Sequence, residues 1–115
     1  MCTQNQLNKI TGEVSKNVCS ILGDKLHSII LFGSYARGDH NDESDVDIMV
    51  LADIKNEDEM VKFRKAVRQV SNDVSLESGV TVFTTLKDKS FFDSHINILP
   101  FYQNVVSEGV TIYGW

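Results

Sequence analysis

An α/β fold of the α+β kind, with one mixed β-sheet flanked by helices, is what this 115-residue chain predicts, and three observations predict it. Two long stretches repeat apolar residues at helical spacing, short runs of branched apolar residues alternate with them, and glycine or polar turns separate the segments. The resulting order, α-β-α-β-α-β-α-α-β, suits a mixed sheet with helices packed against it.

Leu7, Ile10, Val14, Val18 and Ile21 give a first helix over residues 4–22. Gly12 weakens it by roughly 1 kcal/mol, and Gly23-Asp24 is its stop. Residues 28–32 read as a buried strand ending at Gly33, after which Ser34 caps a short helix closed by Gly38. Residues 39–44 are a polar connector to a second strand, residues 45–51. Met60, Phe63, Val67, Val70 and Val74 set a second long helix over residues 56–72, with Glu57, Asp58 and Glu59 placed favourably in its first turn. That stripe is core. A third strand covers residues 80–84, a short helix residues 87–95, and Pro100 sits in the first turn of a last helix that ends before Gly109. Residues 110–113 form a terminal strand.

The length suits one domain without a second substrate lobe. The first ten residues lack the basic start and apolar core of a signal peptide, and no apolar run approaches membrane-spanning length, so a cytoplasmic location is expected. Cys2 and Cys19 lack metal-ligand spacing and read as reduced thiols. A net charge of −5 disfavours stable nucleic-acid binding, which needs a basic footprint. Lys62, Arg64, Lys65 and Arg68 do cluster, either as a solvated helix face or as a contact for an acidic partner or a triphosphate. Tyr35, Tyr102, Tyr113 and Trp115 fit packing, a base pocket or an interface. His27, His40 and His95 show no metal spacing.

The chemistry concentrates in the run ILFGSYARGDHNDESDVDIMVL: Gly33-Ser34, ten residues, then Asp45-Val46-Asp47. Alternation puts Asp45 and Asp47 on one face of a strand, with Cα atoms roughly 6.5–7 Å apart. Two bare carboxylates on an apolar strand repel each other and lose hydration, at a cost of several kcal/mol unless a cation compensates. Mg²⁺ suits the pair because it is held by one or two carboxylates together with substrate phosphates. Gly33 lets backbone approach a phosphate, and a cap at Ser34 turns the amides near Ala36 and Arg37 toward an anion. Arg37 adds positive charge there.

The Gly33-Ser34-Tyr35-Ala36-Arg37-Gly38 and Ser44-Asp45-Val46-Asp47 segments resemble the signature of the DNA polymerase β-like nucleotidyltransferase superfamily, and the compact form is similar to its minimal (MNT) branch. The closing stretch from Pro100 to Gly114 also looks like the end of such proteins. The resemblance implies the polymerase β-like nucleotidyltransferase fold, with Gly33, Ser34, Arg37 and Ser44 at the nucleotide and Asp45 and Asp47 as catalytic metal ligands. Two Mg²⁺ ions and ATP as nucleotide substrate follow. Relatives of this kind also carry a third acid on the strand after the long helix. Residues 80–84 contain none, and Glu77 is the nearest candidate, since backward alternation puts Glu77, Gly79, Thr81 and Phe83 on one side; the other reading is a solvated helix end. Without a third ligand, the ion that activates the nucleophile is weakened while the one travelling with the triphosphate is spared.

Many minimal nucleotidyltransferases are antitoxins that pair with a HEPN ribonuclease toxin and attach AMP to its tyrosine. The resemblance therefore implies transfer of AMP from ATP to a hydroxyl of a HEPN-type partner. Two alternatives stay open: an interaction module that neutralises its partner by contact alone, and a small-molecule nucleotidyltransferase whose acceptor pocket forms across a homo-oligomer.

Overall fold

The computed structural model describes residues 3–41 and 44–114, so Cys2, Asp42, Glu43 and Trp115 lie outside the described residues. Its elements are α1 (Gln4–Leu22), a single 3-10 turn (Gly23–Lys25), β1 (Leu26–Phe32), α2 (Ser34–Arg37), β2 (Val46–Ala52), α3 (Glu57–Ser78), β3 (Val82–Asp88), α4 (Lys89–His95), α5 (Pro100–Glu108) and β4 (Val110–Tyr113). Their order is the predicted one. The sheet runs β3-β2-β1-β4. β1 pairs antiparallel with β2 and β4, while β2 and β3 are parallel, α3 supplying the crossover a parallel pair needs.

Period-two alternation along β2 divides the molecule into layers. Val46, Ile48, Val50 and Ala52 are buried in one apolar cluster with Leu7, Ile10, Val14 and Val18 of α1 and Val67, Val70 and Val74 of α3. Met49 and Leu51 enter a second cluster with Phe92 of α4 and Tyr102 and Val105 of α5. Tyr102 is therefore a packing residue. Asp47 belongs to the Met49–Leu51 face, beyond its covered part, while Asp45 lies just before β2, which starts at Val46 and not at the predicted residue 45.

α1 opens on a reciprocal cap: the Thr3 hydroxyl accepts from the Gln6 amide and the Gln6 side chain accepts from the Thr3 amide. α3 is capped by Asn56, whose side chain accepts from the Glu59 amide. This helix runs to Ser78, six residues past the predicted end at Asn72. Ser71, Asn72, Asp73 and Ser75 are weak helix formers, but the hydroxyls of Ser71 and Ser75 donate back to the Arg68 and Ser71 carbonyls, and Val74 continues the buried stripe. The stop is Gly79, in the left-handed region at φ 74°. β3 starts later than predicted for the same reason: Ser75 Oγ accepts from the Val82 amide at 2.9 Å and fixes where the strand begins.

Candidate active site

The two halves of the motif meet at Gly33 and Asp47. Gly33 ends β1 at φ 80°, and a Cβ built there would lie 2.6 Å from Oδ2 of Asp47. Only glycine combines that backbone angle with that approach. Gly33, not Ser34, is the N-cap of α2, and Ser34 is its first helical residue. The predicted anion-facing amides are corrected with it: Ala36 and Arg37 both donate to the Gly33 carbonyl, each at 3.1 Å. A four-residue helix consumes its inner amides in its own first turn.

Register places Asp47 between Phe32 of β1 and Phe83 of β3. Side chains of paired residues share a face, so an aromatic ring flanks the carboxylate on either side. Phe32 packs against Phe101 of α5, with ring centroids 5.4 Å apart, whereas Phe83 is 54% exposed. Burial pushes the Asp47 carboxyl above the usual carboxylate range, the charge of Asp45 adds to the rise, and Arg37 offsets part of it. A cation between the two acids would relieve both causes.

Arg37 is held by two carboxylates. Its Nε donates to Asp39 Oδ2 at 3.1 Å and its Nη1 to Glu108 Oε2 at 3.2 Å. Ser44 serves the connector: its hydroxyl accepts from the Asn41 amide at 2.9 Å, and its amide donates to the Asn41 carbonyl. Tyr35 is buried and stacks on His40, with centroids 4.2 Å apart.

Glu77 is corrected in position. It lies in the last turn of α3, not on a strand, so the alternation that aligned it with Phe83 does not apply. It lines a cleft with Gln6, Lys9 and Glu13 of α1. α1 and α3 cover the Ile48 face of the sheet, opposite the aspartate pair. On β3, the positions sharing the face of Asp47 are Phe83, Thr85 and Lys87, none acidic. Asp88, the one acid of that strand, sits at its far end, bound to Lys55 Nζ and the Ile54 amide. Among the described residues no three His, Cys, Asp or Glu side chains converge. The donor set fits one Mg²⁺ completed by phosphates; for a second ion these residues offer no third carboxylate.

Glu108 and the Phe32–Phe83 flank are the parts that sequence reasoning missed. Phe83 was readable as a strand residue, but not its register with Asp47. Nothing in the sequence links Glu108 to a side chain 71 positions away.

Comparison with known proteins gives a consistent picture. A Methanocaldococcus jannaschii protein named as a candidate protein adenylyltransferase is 34% identical over 92 residues, covering 80% of this chain and 90% of its own. A crystal structure of a toxin-antitoxin with AMP-PNP superposes with a TM-score of 0.57 at 25% identity, covering 91% of this chain and 73% of that one. A structure of a tri-AMPylated Shewanella oneidensis HEPN toxin in complex with MNT antitoxin matches the fold, with a TM-score of 0.54 at 22% identity over 94% of this chain and 72% of that chain. No helix among the described residues is long and apolar enough to cross a membrane. Matched over residues 8–114 by the polymerase beta nucleotidyltransferase family model, the chain belongs to that family.

Proposed function

We propose that this protein transfers AMP from ATP to a tyrosine hydroxyl of a partner protein, with Mg²⁺ as cofactor, and acts in the cytoplasm as the antitoxin of a HEPN ribonuclease toxin. The observation that carries the reading is the convergence of the glycine bend on the Asp-x-Asp segment at Asp47, whose carboxylate lies directly against Gly33. The adenylyltransferase relative supports the reaction, and the toxin-antitoxin neighbour with AMP-PNP supports both nucleotide and partner.

Asp45 and Asp47 would hold the metal ion. When bound, Mg²⁺ neutralises triphosphate charge and orients the phosphates for in-line displacement. Gly33, having no side chain, lets the bend close directly onto Asp47, and Arg37 brings a permanent positive charge to the same edge. An acceptor hydroxyl gives its proton to solvent and attacks the α phosphorus, the bond from that phosphorus to the bridging oxygen breaks, and pyrophosphate leaves. A phenol suits a site without a third acid: with a pKa of about 10 it gives up its proton far more readily than an aliphatic alcohol. The exposed ring of Phe83 beside Asp47 offers such an acceptor an aromatic face.

The test is to incubate the protein with α-labelled ATP, Mg²⁺ and the HEPN-type product of its neighbouring gene. Label should appear on a partner tyrosine and vanish with Asp45→Asn/Asp47→Asn. A partner that binds but takes no label contradicts transfer. That result would favour neutralisation by contact alone, the reading supported by the absence of an acid beside Asp47 on β3.

A further inference from the structure

Arg37 lies at the end of α2, where an unrestrained arginine would sweep a wide arc of solvent. Two separate devices prevent this. Gly38, left-handed at φ 83°, reverses the chain so that Asp39 returns to Nε of Arg37. The second device comes from the other end of the sequence. α5 stops at Glu108, and the following Gly109 is pressed against β1: a Cβ there would meet Ile30 Cγ2 at 2.5 Å and crowd the Val105 carbonyl. Val110 then pairs with Leu31, two residues before Gly33. The sheet therefore fixes Glu108 relative to the glycine bend, and Glu108 receives Nη1 of Arg37 at 3.2 Å.

A guanidinium has five N–H donors in a rigid fork. Asp39 and Glu108 engage the Nε and Nη1 donors, and among the described residues no other side chain binds Arg37, which leaves Nη2 for another acceptor. The Arg37 amide donates to the Gly33 carbonyl at 3.1 Å, so its side chain springs from one helical turn beyond the bend that meets Asp47.

We propose that Glu108, assisted by Asp39, is a positioning residue that aims the unspent edge of Arg37 at the triphosphate beside Gly33 and Asp47. This rests on the nucleotide-transfer reading. Glu108 touches no reacting atom in this account; it acts only through Arg37. The Asp39 contact joins residues two apart and moves with the α2 turn, whereas Glu108 ties Arg37 to a separate element of the sheet.

A double-mutant cycle tests the proposal, using Arg37→Gln, Glu108→Gln and their combination, with Glu108→Asp as the conservative variant. For each, KM for Mg·ATP and kcat are measured in the partner-labelling reaction, direct Mg·ATP affinity by calorimetry, and thermal stability alongside. Glu108→Gln should raise KM and the dissociation constant about three- to tenfold, with kcat and Tm close to wild type. Glu108→Asp should recover part of that loss, and adding Glu108→Gln to Arg37→Gln should cost nothing further. Additive losses, an unchanged KM or tighter nucleotide binding in Glu108→Gln would overturn the proposal. A wild-type protein that binds no Mg·ATP would overturn the nucleotide reading itself, and this proposal with it.

Discussion

The two faces of the sheet are built from alternate residues of the same strands, yet they differ in what closes them. On one face, α1 and α3, of 19 and 22 residues, seal Val46, Ile48, Val50 and Ala52 completely. On the other, α4 and α5, of seven and nine residues, cover Met49 and Leu51. Asp47 lies past that cover, between one packed phenylalanine and one exposed one. Alternation along β2 thus lets a single strand anchor the core through one set of side chains and present chemistry through the other. The closed face carries stability, and the open end holds the proposed site.

The contrast is sharpest in substitutions one strand apart. Ile48→Ala, on the sealed face, should cost about 2–5 kcal/mol in urea unfolding. Phe83→Ala, on the open end, should cost less than about 0.5 kcal/mol while weakening use of the partner acceptor. Equal stability losses at the two positions would break the comparison.

A smaller effect separates Asp47 from an ordinary surface acid. Its carboxyl is raised by burial and by Asp45, so folding favours the neutral form. Below the unfolded carboxylate value of about 3.9, Asp47 is neutral folded or unfolded and contributes no penalty. As pH rises through the raised native value, wild type loses that advantage, and Asp47→Asn does not. In EDTA, therefore, the stability of Asp47→Asn relative to wild type should rise from about pH 4 and level off once Asp47 is ionised, read as the difference in urea midpoints. A difference that is flat with pH, or of opposite sign, contradicts a burdened Asp47.

The same division governs what could be read from sequence. The closed face was legible because its signals are local: apolar spacing in α1 and α3 and branched residues in β1 and β2 state their own burial. Asp47 could be put on the Met49–Leu51 face because alternation along one strand fixes which residues share a side, whereas Asp45, expected on the same strand, precedes its start at Val46. Glu77 was misplaced because the polar Ser71-Asn72-Asp73 segment looks like a helix end, while burial of Val70 and Val74 carries α3 on to Ser78 and its Gly79 cap. Ser34 was given the cap that the backbone angle of Gly33 takes. Phe83 beside Asp47 and Glu108 on Arg37 depend on strand register and on where α5 docks, which no local pattern encodes.

The central claim is that Asp45 and Asp47 bind Mg²⁺ with a triphosphate seated at Gly33. Titration calorimetry of Mg·ATP into wild type and into Asp45→Asn/Asp47→Asn, each with and without excess EDTA, tests it most directly. Wild type should bind only with metal present, and the folded variant should lose at least about 100-fold in affinity. Equal affinity in the two proteins, or binding indifferent to EDTA, would contradict it.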